Sequence, residues 1–428
     1  SSLSKANQSY MYPSVALSYI FTEMIHKNGG TLPPWLTYGK FRVSYAAAGN
    51  DLSPYQLYNT YNISKDPFGN TTASRQETMF NPNVRSELIK SFEAGLKMRF
   101  FDSRLGFDLT YYKSNATRQL LQIPMDPMSG YSSMMINAGN IQNEGLELML
   151  DGQIIKNSNN GFNWDASVNF STNKNMIVAL SPGISQYQLG GFDVISVNAV
   201  TGKEYGEIYG RKFLRVTDED SPYYGQKIII DGLPQGTSAS TDLGNQSPNY
   251  LLGFTTNFTY KNFGMSISVD GSFGGKMFSS TLVAMQQRGT SALTVVNGGR
   301  DSILVPGVVS DGDGGYVENT EKVSAQNYWQ NGIGVDNTGI TEANLYDATN
   351  VRIRNIQLSY SIPKTILNTT PFQQASIALS CNNVLMLSSH MHGLDPESSF
   401  ASGSNATGYE SGAAPTLRSF HITVNLGF

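Results

Sequence analysis

Residues 418–428, RSFHITVNLGF, alternate apolar and polar positions without a break, Phe420, Ile422, Val424, Leu426 and Phe428 against Ser419, His421, Thr423, Asn425 and Gly427. Successive side chains of a strand point to opposite faces, so this spacing predicts a β-strand with five apolar groups on one side. The same period of two recurs along the chain. Phe92, Ala94, Leu96, Met98 and Phe100 oppose Glu93, Gly95, Lys97 and Arg99, and after a turn at Asp102, Ser103 and Arg104 the alternation resumes with Leu105, Phe107, Leu109 and Tyr111. These two segments predict a hairpin. Phe162, Trp164, Ala166, Val168 and Phe170 share a third face. Leu252, Phe254, Thr256, Phe258 and Tyr260 share a fourth, turned at 261–264 into Met265, Ile267, Val269 and Phe273. Further strands are expected at about 12–23, 37–49, 146–150 and 377–381. In residues 351–362 the phase slips, since Val351 and Ile353 are followed by Ile356, Leu358 and Tyr360, and a β-bulge near Arg354 and Asn355 would absorb the extra residue.

About eleven strands result, and the connections between them alternate short and long, the long ones near 50–83, 119–136, 177–248, 274–349 and 388–415. Stretches of this length are unusual as loops inside a compact domain. Short turns at one end and long loops at the other are the pattern of a transmembrane antiparallel β-barrel, greasy outward and polar inward, with short periplasmic turns. A soluble sandwich has no physical reason to keep its long loops at one end. The fold class expected is therefore all-β, a transmembrane barrel in the bacterial outer membrane. Single-chain bacterial barrels have even strand numbers; an odd count predicts that residues 1–428 are the carboxyl-terminal part of a larger barrel.

Composition sharpens this reading. In 428 residues there are 42 Gly, 23 Tyr and 21 Phe but only 14% charged side chains, which suits one large β-structure. No apolar run is long enough for a spanning helix, so a membrane crossing must be made by strands. A net charge of −4 gives no basic footprint and argues against nucleic acid as a partner. Cys381 is alone, which excludes a disulfide framework and a thiolate metal site. The chain opens without a signal peptide, as expected if one has been removed or if the sequence is a later piece of a longer one.

No catalytic constellation stands out, and neither enzymatic activity nor a cofactor is expected. His390 and His392 fall on one face of an extended segment without a third ligand nearby, so a solvated loop is the simpler reading. Asp311 and Asp313 in DGDGG offer carboxylates to a calcium ion but lack the other positions of an EF-hand loop; a polar turn is the simpler reading. Cys381 shares the phase of Ile377 and Leu379 and reads as a small lipid-facing group. The polar-face charges, Glu93, Lys97, Arg99, Asp108, Asp165, Asp270, Arg352 and Arg354, suit a wet lumen. Candidate ligand contacts lie in the long loops, where Tyr223, Tyr224, Tyr328 and Trp329 could stack on sugars or clamp a peptide, the alternative being packing within the loops.

Residues 137–150, NAGNIQNEGLELML, and the core FEAGLKMRFFDSRLGFDLTYY within residues 91–121 resemble signatures of SusC/RagA-type TonB-dependent outer-membrane transporters of the Bacteroidetes. FNWDASVNFSTNKNMIVAL at 162–180, NVRIRNIQLSYSIP at 350–363 and the terminal strand are similar to the same family, with Leu417 where a proline is common before the arginine. The resemblance implies a 22-stranded barrel around an amino-terminal plug, a SusD-like surface lipoprotein as lid, energy from the TonB complex, and import of oligosaccharides or oligopeptides, with outer-membrane lipids around the barrel. The TonB box, the plug and the amino-terminal barrel half would lie outside this sequence. A passive porin or structural barrel and a soluble β-rich binding module or hydrolase are the competing readings. Barrel motifs do not distinguish glycan from peptide.

Overall fold

The computed structural model describes every residue except 1, 55, 158–160, 337 and 401–404. The contacts divide the chain into two compact units, 1–154 with 165–186 and 200–203, and 155–164 with 187–199 and 204–428.

The first unit is built on β1 (Ser14–Tyr19), β2 (Leu36–Asn50), β3 (Glu87–Phe100), β4 (Leu105–Pro124), β5 (Ser133–Lys156) and β6 (Phe162–Ala179). Each pairs with the next in chain order, and β1 to β5 run antiparallel. The register aligns side chains in rows: Tyr19, Phe41, Leu96, Leu109 and Leu148 form one apolar row, and Leu17, Val43, Ala94, Tyr111 and Leu146 the next. One residue out of phase, Arg42, Thr110 and Asp108 meet on the polar face, where Arg42 Nη2 lies 2.7 Å from Asp108.

The second unit carries β7 (Tyr250–Tyr260), β8 (Phe263–Phe273), β9 (Asn350–Ser361), β10 (Gln374–Ser389) and β11 (Ser419–Gly427), again antiparallel and in chain order. Among the described residues the long strands thus number eleven. Tyr260, Phe263, Tyr360, Ile377 and Val424 are one apolar row; Phe258, Met265, Leu358, Leu379 and Ile422 are the next. The bulge stands where the phase slip places it. Ile353 pairs with Val269 and Asn355 with Ser268, leaving Arg354 unmatched. Cys381 shares its row with Thr256, Ile267, Ile356 and Phe420 and is half-buried.

The apolar rows of both units face solvent rather than a core. Leu17 is 64% exposed and Leu379 53%, and along β11 Phe420 reaches 77%. A sheet packed against another layer would bury these groups. A contiguous apolar face of this extent is what a protein presents to lipid or to a partner.

The structure corrects three sequence-based expectations. The strand predicted at 12–23 ends at Tyr19, and Phe21–Lys27 is a helix. Thr22 is buried there and its Oγ1 accepts a hydrogen bond from the Gly39 amide at 3.1 Å, while the Phe21 ring occupies the space a side chain at 39 would need. The tertiary contact overrides the alternation. The connection expected at 119–136 contracts to 125–132, because β4 and β5 pair from Leu105 with Gly152 out to Pro124 with Ser133. The long connections are also not plain loops. Residues 50–83 include the hairpin of Tyr61–Lys65 with Thr71–Arg75, and those after β6 and β8 hold further short strands and the helix Ser280–Gln287. The run of turn-forming residues 157–161, NSNNG, which predicts a short turn before Phe162, lies partly outside the described residues.

Candidate functional site

The polar face of the second unit and the segments above β7–β10 are where polar chemistry gathers. The connections after β6, β8 and β10 together build the segments. Strands Gln186–Phe192, Ile195–Val200, Glu207–Gly210 and Thr241–Asn245 form a small sheet in that order. Val197, Ile208, Leu243, Phe278, Val283 and Tyr409 close beneath it in a fully buried cluster. The helix Ser280–Gln287 is started by Ser279, whose Oγ accepts from the Leu282 amide at 3.0 Å. That hydroxyl also donates to Glu410 at 2.7 Å, which fixes a carboxylate from the β10–β11 connection in the same core. Without such partners a buried carboxylate would be costly.

Beside this core is a cleft of about 600 Å³, lined by Lys212, Asp242, Asn245, Lys276, Glu342 and Asp347 among others. Lys276 Nζ donates to the Leu243 carbonyl at 2.6 Å, and Asp242 accepts from the Gly244 amide at 2.8 Å, so both ends of the wall are held rigidly. Glu342 accepts from the Phe213 amide at 2.8 Å and from Arg215 at 2.8 Å. Burial acts to raise the Asp347 carboxyl, but hydrogen bonds from Thr349 and the charges of His390 and Lys276 outweigh it and hold the group below the usual range. Burial lifts the Tyr346 phenol. Lys227, behind the cleft, is lowered chiefly by burial and then by the Arg215 charge; its ammonium sits 3.8 Å from the centre of the Phe213 ring. The arrangement offers donors and acceptors of both signs over a broad surface. Nothing in it pairs a nucleophile with a base.

A second polar assembly lies on the barrel-wall side. Arg352 and Arg354 lie on the same face, and both reach the β10–β11 connection. Arg352 is only 3% exposed at its side chain and sits 2.9 Å from Asp395; Arg354 is 2.7 Å from both Asp270 and Glu397. Asp395 also accepts from the amide and hydroxyl of Thr416. Burial pushes its carboxyl upward, yet the hydrogen bonds from Arg352 and Thr416 prevail and keep it well below the usual carboxylate range. Within this ion network the Arg352–Asp395 pair is buried, and the network ties Asp395, Glu397 and Thr416 to β9.

The loop aromatics separate. Tyr328 and Trp329 meet edge to face at 4.9 Å and pack on Phe213, Ile333 and Ile340, and burial raises the Tyr328 phenol. Tyr223 is half-buried, while Tyr224 is 57% exposed in a tight turn closed by its amide to the Ser221 carbonyl. Asp311 and Asp313 sit in the turn between Val308–Ser310 and Tyr316–Glu318. Asp311 Oδ1 there accepts the amides of Asp313 and Gly315 at 3.0 and 2.8 Å. Among the described residues no group of three or more His, Cys, Asp or Glu side chains could hold a metal ion. Sequence reasoning singled out Arg352 and Arg354 as polar-face charges but missed the cleft residues, which come from three distant segments and follow no period.

The family model for the TonB-dependent receptor-like β-barrel matches residues 2–384. TonB-dependent receptor P3 of Formosa agariphila is 25% identical over all of this chain and 43% of its own length. TonB-dependent receptor SusC of Bacteroides thetaiotaomicron is 27% identical over 68% of this chain and 30% of its own length. Among solved structures, the RagAB peptide transporter superposes with a TM-score of 0.70 at 19% identity, covering 100% of this chain and 44% of that one. The RagAB peptide importer in its closed-closed state gives 0.72 at the same identity and coverage. These likenesses show a shared fold. The chain spans less than half the length of the curated relatives it matches over its whole length.

Proposed function

The chain belongs to the TonB-dependent receptor-like β-barrel family, and from that premise we propose that it works in active, TonB-dependent import of oligomeric nutrients across an outer membrane. The match over residues 2–384 carries the proposal. The exposed apolar rows support a lipid-facing wall, since water is a poor solvent for a face of that size. A chain with eleven long strands that spans about two fifths of its relatives fits the carboxyl-terminal part of a 22-stranded barrel. On this reading the plug, the TonB-contacting segment and the other barrel half belong to the rest of the protein. β11 and β1, each paired on one side in the sheet, would meet strands of that half.

The substrate we propose is an oligosaccharide or oligopeptide, bound at the polar cleft with Tyr224 and, if the loops repack, Tyr223, Tyr328 and Trp329 as contacts. A cleft of about 600 Å³ lined by fixed donors and acceptors suits a polar oligomer better than an apolar one. The partners that go with this reading are the TonB complex and a SusD-like surface lipoprotein acting as lid. The competing passive-porin reading makes no demand on energy. Uptake of defined glycan and peptide mixtures by cells carrying the full-length gene, with and without an intact proton gradient, tests the proposal. Energy-dependent uptake supports it; uptake unchanged on collapse of the gradient points to a pore.

A further inference from the structure

We propose that the gap where β10 runs on past β11 binds a short oligopeptide in extended form, added as a strand to the free edge of β10. This inference rests on the import reading and chooses between its two substrate classes. β10 pairs with β9 as far as Ser389 with Asn350, but with β11 only as far as Asn382 with Ser419. Over residues 383–389 the edge on the β11 side has no backbone partner among the described residues. The strands part for a local reason. The register of β10 against β9 shifts twice, setting Asn383 and Val384 across from Arg354 alone and leaving Leu387 unmatched, and Asn383 takes a φ of 50°. Bulges of this kind bend and twist the strand that carries them.

The free edge borders a formed cavity of about 410 Å³, lined by residues 385–389 together with Pro415, Thr416 and Arg418 among others. That volume lies within the range of small-ligand sites. Its lining is held in place, since Asn383 Nδ2 donates to the Leu417 carbonyl at 2.9 Å and Thr416 donates to Asp395. Three features select the occupant. An unpaired strand edge presents N–H and C=O groups in the repeat of a polypeptide backbone, and an extended peptide takes them up by strand addition; a sugar ring carries no such repeat. Leu385 and Leu387, half exposed, offer apolar contact to its side chains. Arg418 is exposed and has no ion pair among the described residues, whereas Arg352 in the same lining is neutralised by Asp395 at 2.9 Å. A guanidinium beside a strand edge is matched by a carboxylate in a forked pair, and the free carboxyl terminus of a short peptide supplies one.

The test is calorimetry and amide hydrogen exchange on the full-length protein, with a tetrapeptide of alternating valine and threonine as probe. Its copy N-methylated at alternate amides, its carboxyl-terminal amide and maltotetraose are measured beside it. The methylated copy keeps the side chains but loses strand-bonding donors, and is expected to bind about tenfold more weakly. The carboxyl-terminal amide should lose about fivefold. Backbone amides within residues 385–389 should gain protection when the peptide binds, and Arg418→Gln should make the acid and the amide bind equally while heat stability stays unchanged. Equal binding of the methylated copy, tighter binding of maltotetraose, or no peptide binding overturns the site. So does protection of residues 385–389 in the free protein, which would mean that another segment already fills the gap. Energy-dependent uptake by cells is scored separately, so strand addition can fail while import stands, and peptide binding can stand while uptake proves independent of the gradient.

Discussion

The β4–β5 hairpin and the segments that follow β6 and β8 were made under different rules. In the hairpin each residue has a cross-strand partner from Leu105 with Gly152 to Thr117 with Asn140, and the side chains need only alternate. In the segments around the cleft, the paired Val197 and Ile208, together with Phe278 and Tyr409, come from three distant stretches and are held by packing in three dimensions. A pleated wall is stabilised pair by pair between neighbours. A packed core is sensitive to the loss of any large member. The difference teaches where damage should spread and where it should stay local.

Phe278→Ala gives the sharpest contrast, with an expected cost of about 3–5 kcal/mol, concentrated in the loop core. Limited proteolysis should cut within residues 187–248 or 276–349 while the strands stay protected; simultaneous loss of the whole sheet would erase the contrast. Arg352→Met is next. It strands the buried Asp395 carboxylate, and breaking a buried pair in this way costs about 3–5 kcal/mol, less whatever water gains access. The expected readout is protease access to residues 395–416 and a lower Tm. Val424→Arg probes the wall itself, at about 2–4 kcal/mol if the residue faces mid-bilayer lipid; unchanged heat stability in the purified barrel would count against that placement.

A smaller effect should come with acid. The folded-state carboxyl of Asp395 lies below its ordinary value, so its contribution is fully present above the unfolded value of about 3.9 and is lost as pH falls below it. Protease access to residues 395–416 should therefore rise below about pH 4 in the parent and be high and less pH-dependent in Asp395→Asn. The smallest change is expected from Tyr224→Ala, within about 0.5 kcal/mol of parental stability because the ring is exposed, with reduced uptake if the ring touches substrate.

The wall was legible in the sequence for a physical reason: period-two alternation is local, and β7, β8 and β11 follow it residue by residue. The bulge could be placed because Ile353 and Ile356 sit out of step. The helix Phe21–Lys27 was not legible, since the residues that decide it, Gly39 and its amide, belong to another strand. Nor was the cleft. Lys212, Lys276 and Glu342 are neighbours only after the loops fold, and each alone is an ordinary surface charge. The loop aromatics were the visible signal there, yet their exposure depends on contacts such as Trp329 with Ile333 that no spacing reveals.

The unmatched Arg354 behaves along β9 as an inserted base does in a reading frame. Everything on its carboxyl-terminal side is read in the shifted phase, so that Ile356, Leu358 and Tyr360 continue the outer face that Val351 and Ile353 began. Deleting one residue anywhere between 356 and 360 would turn part of that series toward the polar side, whereas deleting Arg354 itself would remove the bulge and leave Val351, Ile353, Ile356, Leu358 and Tyr360 in one unbroken alternation. A one-residue deletion therefore preserves the wall at the bulge itself, whereas a length change elsewhere in this strand needs a compensating one nearby.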